Sequence, residues 1–129
     1  MAGTLTISTL SDGTNSTSST NCIQGSAKAW VNFNGVTTAT IRASFNVSSV
    51  TRTSTGTYTI NFTTALTDGN FAFAGSAENT SSARLYVVSQ DYLTANTSTA
   101  LYIIVGASGA AAYVGYGADS TNCSVAVFR

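Results

Sequence analysis

The chain has few side chains suited to catalysis. Histidine, the residue most often used as a general base or metal ligand, is absent. All of the acids lie where turns or loops are expected, at Asp12, Asp68, Glu78, Asp91 and Asp119. Carboxylates in turns commonly cap their own backbone, and no two of these acids are close enough in sequence to form a glycosidase-like or protease-like pair. Unless folding brings two acids together, we expect no catalytic site and no cofactor, and hence a protein that is not an enzyme.

One set of oxygen ligands suits calcium. Asp12 and Asp119, with Asn15 and Asn122, would supply carboxylate and amide oxygens if their two loops adjoin. Capping of the two turns is the simpler role for these side chains, so we predict no metal site.

The two cysteines, Cys22 and Cys123, each follow a Thr-Asn dipeptide near opposite ends of the chain. As free thiols they would pack as small apolar residues. A disulfide between the first and last strands would instead restrict the unfolded chain, by ~4–5 kcal/mol in the entropic model. Synthesis in the cytosol would disfavour that bond unless oxidation follows release from the cell. The sequence leaves both alternatives open, but two cysteines without histidine do not make a zinc site.

Charge and length exclude several classes of protein. The net charge is zero, the pI is about 6.0 and only 8% of residues are charged, which argues against binding to nucleic acid or anionic membranes. No apolar run reaches the ~20 residues of a membrane span, and the first residues lack the features of a secretory signal. We expect one domain of 129 residues, made in the cytoplasm and not inserted into a membrane.

Alternation of apolar and polar residues is the main structural signal. One parity of each segment is apolar: Ala27, Ala29, Val31 and Phe33; Ala39, Ile41, Ala43, Phe45 and Val47; Tyr58, Ile60 and Phe62. Successive side chains on a strand point to opposite faces, so this pattern predicts half-buried antiparallel strands. Asn34-Gly35 and Asp68-Gly69 are turn signals between such segments.

The whole chain is predicted to be all-β, an antiparallel β-sandwich or open barrel of about eight strands without a convincing helix. The predicted strands cover residues 4–10, 22–34, 36–47, 57–66, 70–76, 83–90, 100–105, 111–116 and 123–128. Residues 1–21 would form an N-terminal strand and polar loop for attachment or strand exchange in an oligomer, and residues 22–129 a single sandwich domain. The strand at residues 100–105 is apolar on both parities and is expected to be covered on both sides.

Five residues are candidates for an assembly interface. Leu5 and Ile7 share one face of the first predicted strand, which could pair with another subunit. Lys28 and Arg42 lie mid-strand on the polar parity, where they form either a solvated face or a subunit contact. Trp30 shares the parity of Lys28, which indicates that this face is covered by core or by a subunit, or that it is an exposed ligand platform.

Tyrosines late in the chain are candidates for a ligand-binding surface. Tyr92, Tyr113 and Tyr116 lie in or near stretches rich in Gly, Ser and Asn, a setting that suits adaptable recognition, including stacking on sugars. For any one of them, packing with an exposed hydroxyl is the alternative role.

Three segments resemble a domain found in bacteriophage virion proteins of the small tail-fibre-like type: AKAWVNFNG, TATIRASFNVSSVTRTSTGTYTINFTTAL and the ending NCSVAVFR. The resemblance covers residues 25–68 well and the last strand moderately. It implies a virion structural protein that forms a homotrimer, binds other capsid or tail proteins and contacts a host surface glycan. Unlike a typical fibre, this chain has only about ten residues before its first predicted loop.

That departure leaves two readings of the resemblance. The chain is either a detached fibre knob held by its first strand or a capsid decoration (cement) protein that stabilises the phage head. A cellular adhesin or pilus-like subunit is a third hypothesis, which the apparent lack of a secretion signal disfavours.

Overall fold

The computed structural model describes residues 3–78, 85–108 and 117–129. Their secondary structure is ten strands and one seven-residue helix. These elements are β1 (Thr9–Ser11), β2 (Ser16–Ser18), α1 (Ser19–Gly25), β3 (Ala27–Asn34), β4 (Thr40–Phe45), β5 (Val47–Ser54), β6 (Thr57–Phe62), β7 (Ala72–Ala77), β8 (Leu85–Gln90), β9 (Ala100–Ser108) and β10 (Cys123–Phe128). The mostly-β prediction is confirmed, although the short helix α1 was not expected.

Eight of the strands form two antiparallel sheets of four strands. The first sheet has the order β4-β3-β10-β7 and the second the order β5-β6-β9-β8. Strands β3 and β4, β5 and β6, and β8 and β9 are consecutive neighbours within a sheet, whereas the other connections cross between sheets. Of the two predicted architectures, the sandwich is therefore the one formed. The remaining pair, β1 and β2, makes a separate two-stranded sheet.

The core lies between the two sheets and is built from one parity of each central strand. The buried side chains are Ala29, Val31 and Phe33 of β3, Tyr58, Ile60 and Phe62 of β6, Leu101, Ile103 and Val105 of β9, and Cys123, Val125 and Val127 of β10, with Val47 and Val50 of β5. Phe33 and Tyr58 meet edge to face across the two sheets, with ring centroids 5.1 Å apart. Burial of this apolar surface is the main force that holds the sheets together.

Asn46 turns the chain from the first sheet to the second. It has a positive φ of 54°, a conformation that asparagine tolerates better than most residues. Its side-chain amide donates to the Lys28 and Thr64 carbonyl oxygens at 3.1 Å each, and its amide oxygen accepts from Thr64 N at 2.7 Å. The corner between β4 and β5 is therefore fixed to both neighbouring segments.

An N-terminal arm, residues 3–26, precedes the sandwich. It comprises an extended stretch, the β1-β2 pair and α1, and none of its residues is buried. The Ser18 hydroxyl caps α1 by accepting from Asn21 N at 3.1 Å. The predicted strand at residues 4–10 is wrong, because only Thr9–Ser11 pairs, and it pairs with β2. Leu5 and Ile7 alternate as in a strand, but the described part of the chain gives them no partner strand.

Several other boundaries differ from the predictions. The predicted strand at residues 22–34 begins only at Ala27, since α1 occupies its first residues, and β5 falls in a stretch predicted as a polar connection. Tyr102 and Ile104 of β9 are half-buried, so this strand is not fully covered on both sides. The predicted strand at residues 111–116 lies outside the described residues. The last strand, Cys123–Phe128, has the predicted bounds.

Both cysteines are free thiols. Cys123 is buried, as a small apolar residue would be, and burial raises its pKa to about 12. Cys22 lies half-buried on α1 and makes no disulfide. In the residues that the structure describes, no helix is long and apolar enough to cross a membrane.

Candidate functional site

The outer face of the first sheet brings together three of the five predicted assembly residues. Lys28 and Trp30 extend from β3 on the parity opposite the buried Ala29 and Val31, and Arg42 lies on β4. The other two, Leu5 and Ile7, lie on the arm. The predicted set is thus divided between one sheet face and one N-terminal segment.

Four apolar side chains form a row across the middle of this face. Strand pairing places Phe45 opposite Trp30, Trp30 opposite Ala126, and Ala126 opposite Ala74. Trp30 is 40% exposed and Phe45 is 55% exposed. We call Phe45, Trp30, Ala126 and Ala74 the aromatic row. An exposed apolar row is characteristic of a surface that contacts another molecule.

The sequence prediction placed Phe45 on the core side of β4, and this is wrong. A bulge lies between Asn32 and Phe33, so that Phe33 pairs with Ile41 while Asn32 pairs with Ala43. The extra residue on β4 reverses the parity of the strand, because a one-residue offset exchanges its two faces. Ile41 therefore packs against the core, whereas Phe45 lies beside Trp30.

A polar row runs next to the aromatic row. The Asn32 amide donates to Asn122 Oδ1 at 2.6 Å and to Ser124 Oγ at 2.8 Å. The Arg42 guanidinium donates to the same Asn122 oxygen at 3.3 Å, and Ser76 lies opposite Ser124. Arg42 was predicted to lie either on a solvated face or in a subunit contact. In the structure its side chain is exposed and its partner is an amide of its own chain.

A shallow, open depression of about 550 Å³ lies between Trp30 and β7. Its lining consists of small and neutral residues beside the single indole: Trp30, Val31, Asn32, Ala74, Gly75, Ser76, Ser124, Val125 and Ala126. No titratable side chain lines it, so it offers no general acid or base. Its chemistry suits contact with an apolar, uncharged group.

Lys28 connects this face to the arm. Its ammonium donates to the Ile23 carbonyl oxygen of α1 and to Ser26 Oγ, the latter at 3.0 Å. The contact brings the C-terminal end of α1 close to the sheet. Ile23 itself is 65% exposed.

Of the predicted tyrosine surface, only Tyr92 can be placed. It follows β8 and is 85% exposed, next to Leu93, which is 78% exposed. The preceding Asp91 is buried and accepts from Leu93 N at 3.0 Å, which fixes the turn. Tyr113 and Tyr116 lie outside the described residues, so a tyrosine cluster remains a prediction.

The acids of the calcium hypothesis are engaged with partners of their own. The Asp12 carboxylate accepts from Thr14 N at 2.9 Å and Asn15 N at 2.7 Å, and these bonds lower its pKa. This is the turn capping that the sequence suggested. The described residues contain no group of three or more Cys, Asp or Glu side chains that could hold a metal ion.

Asp119 has a role that the sequence did not reveal. Its carboxylate accepts from Arg52 Nε at 2.9 Å and Nη2 at 2.8 Å, from Gly56 N at 2.9 Å and from the Tyr58 hydroxyl at 2.9 Å. The same hydroxyl lies 3.1 Å from the Gly35 carbonyl oxygen. We call these contacts the Asp119 network. No local motif could have found it, since Arg52 and Asp119 are far apart in sequence.

The Asp119 network joins the two sheets at one end of the sandwich. Arg52 and Tyr58 belong to the second sheet, whereas Asp119 leads into β10 of the first. Partial burial by itself raises the pKa of Asp119, but the bonds from Arg52, Gly56 and Tyr58 outweigh it and lower that pKa. Burial, followed by the bond to Asp119, raises the pKa of Tyr58. The network is a structural connection between the two sheets.

No family model, curated protein or solved structure matches this chain. The resemblance to phage virion proteins therefore depends on the three sequence segments quoted above. The site itself is an apolar sheet face with an adjacent arm, a combination that suits binding to another protein surface.

Proposed function

We propose that this chain is a structural protein of the bacteriophage virion surface, of the tail-fibre or knob type, that assembles as an oligomer and contacts the host surface. The observation that carries the proposal is the arm. Residues 3–26 bury none of their own side chains and expose four large aliphatic residues, Leu5, Ile7, Leu10 and Ile23. Aliphatic surface left in water is stabilised by burial in an assembly.

Charge supports an assembly role over a role in binding nucleic acid. The chain has no net charge, and only Asp12 is charged within the arm. A chain with so little charge has weak protection against self-association. The proposed partners are further copies of the chain, in a homotrimer, together with other virion proteins, and the exposed Tyr92 is the described candidate for contact with a host glycan.

The second candidate function is capsid decoration. The arm, which carries a single charge, and the exposed aromatic row would both suit a small protein that clamps neighbouring shell subunits. The two functions differ in where the chain lies on the particle and in how many copies are present.

Particles of the phage that encodes the chain provide the test. Copy number is measured by mass spectrometry with labelled peptide standards, and position by immunogold electron microscopy. A few copies at the tail would support the fibre-type function, and a copy number tied to the geometry of the shell would support decoration. Complete absence from purified particles would overturn both.

A further inference from the structure

The aromatic row and the depression beside it form an exposed apolar surface on the sandwich. The row crosses all four strands of the first sheet, and neighbouring strands are about 4.8 Å apart, so it is roughly 14 Å long. Trp30, Ala74 and Ala126 all line the depression. The small alanine side chains leave room for a side chain from another molecule.

Residues 3–8 of the arm have matching properties. They contain no charged residue and include Leu5 and Ile7, which are 80% and 39% exposed. In an extended chain these two side chains point to the same side and lie about 6.8 Å apart, and six residues span up to ~20 Å. The segment is therefore long enough to cross the row with both aliphatic side chains facing it.

We propose that residues 3–8 of one copy dock on the outer face of the first sheet of a second copy, with Leu5 and Ile7 over the depression beside Trp30. This inference rests on the proposed function, since it names the surface through which the subunits of the assembly would join. This one contact would bury both the exposed Leu5 and Ile7 of the arm and the exposed indole of Trp30 on the sheet.

Charge and geometry favour this occupant over others. No charged residue lines the depression, so its lining favours an uncharged segment such as residues 3–8 over an acidic or basic peptide. Direct packing of two such sheet faces would cover Trp30 and Phe45 but would leave Leu5 and Ile7 in water. The arm-to-face contact covers both exposed groups.

Trp30 makes the contact directly measurable, because it is the only tryptophan in the chain. Its emission and its quenching by acrylamide are recorded on the full chain over a range of concentrations, in parallel with mass by light scattering. We expect a blue shift and a loss of quenching that follow the formation of the oligomer.

Paired variants identify the occupant. The double substitution Leu5→Asp and Ile7→Asp should weaken association by about tenfold or more, because it removes the two interface anchors. Trp30 should stay exposed in this variant. The matched control, Thr4→Asp with Thr6→Asp, adds the same charge to the opposite side of the same segment. The control should associate much more tightly than the Leu5/Ile7 variant and should retain the shift of Trp30.

Each of the other outcomes contradicts one identifiable idea. Association without any change at Trp30 would overturn this inference and leave the proposed oligomer intact. If the Leu5/Ile7 variant forms an oligomer in which Trp30 is as well protected from quenching as in the natural chain, another surface covers the face. Protection in a monomer, independent of concentration, would place the arm on its own sandwich. A monomer with an exposed Trp30 at every concentration would refute the proposed self-assembly itself.

Discussion

Asp119 accepts four hydrogen bonds from groups that belong to the other sheet or to the turn that precedes β6. Its side chain is 18% exposed, and that of Arg52 is 23% exposed, so the pair is largely shielded from solvent. Loss of this carboxylate would leave the Gly56 N–H without its acceptor and the Arg52 guanidinium without its ionic partner. Shielded groups without a partner are costly to a fold.

We expect Asp119→Ala to lower the free energy of unfolding by about 2–3 kcal/mol, because it breaks a largely shielded charge pair. The matched control is Asp68→Ala. Asp68 also forms a two-bond pair with an arginine, Arg129, but both side chains are close to 40% exposed. Asp68→Ala should therefore lower the free energy of unfolding much less than Asp119→Ala does. Urea unfolding of the three proteins measures the difference. Equal losses in the two variants would refute the role given to the Asp119 network.

The lowered pKa of Asp119 predicts a dependence of stability on pH. The folded-state pKa of this carboxyl group lies below its ordinary value of 3.8. Its contribution to the free energy of unfolding is therefore complete above that pH and is lost as the pH falls toward the folded-state pKa. The stability advantage of the natural chain over Asp119→Asn should therefore be constant at neutral pH and shrink below about 3.8. Urea unfolding of both proteins at pH values above and below this point provides the measurement. An advantage that grows on acidification would contradict the assignment.

At the scale of elements, the turn between β5 and β6 is fixed by close backbone approach. Gly56 has a φ of +71°, and a Cβ placed on it would lie 2.3 Å from Ala118 N and 2.5 Å from Val105 O. Its own N–H donates to Asp119, and its carbonyl oxygen accepts from Val105 N at 2.7 Å. Only glycine fits both the conformation and the space at this position.

Gly56→Ala should destabilise the protein by more than about 1 kcal/mol, because alanine fits neither the backbone conformation nor the gap. Gly25→Ala is the matched control, since a Cβ at Gly25 meets nothing within 4 Å. The midpoint of thermal unfolding should fall for the first variant and stay nearly unchanged for the second. Indistinguishable midpoints would show that the turn is more adaptable than its geometry implies.

Sequence alternation predicted the strands whose period is unbroken. The strand β10 was predicted with its observed bounds because Cys123, Val125 and Val127 alternate with polar or smaller residues. The strand β5 was missed because Val47 and Val50 are three residues apart, a spacing that its register shifts permit. Helix α1 was missed because it is short, mostly polar and buries nothing, so no apolar period marks it.

The candidate site could be predicted only in part. Parity correctly placed Lys28 and Trp30 on one outer face of β3. The position of Phe45 beside Trp30 depended on a bulge, which the residue types of β4 do not indicate. The Asp119 network depended on contacts between distant segments, which one sequence cannot reveal. Local rules therefore identified the face, while tertiary packing determined what lies on it.

At the scale of the whole molecule, the sandwich and the arm differ in how they are stabilised. The sandwich has a continuous core between two sheets, whereas residues 3–26 bury nothing. The arm therefore contributes little to the stability of the body, and its exposed aliphatic residues are available to another copy. Assembly through the arm is the central claim of this account.

The most direct test is the mass of the full chain in solution, measured by sedimentation equilibrium at micromolar concentrations beside a chain that lacks residues 1–10. We predict that the full chain sediments as an oligomer, a trimer having three times the subunit mass of 13.2 kDa, and that the shortened chain sediments as a monomer. A full chain that stays at 13.2 kDa throughout, or a shortened chain that assembles equally well, would contradict the claim.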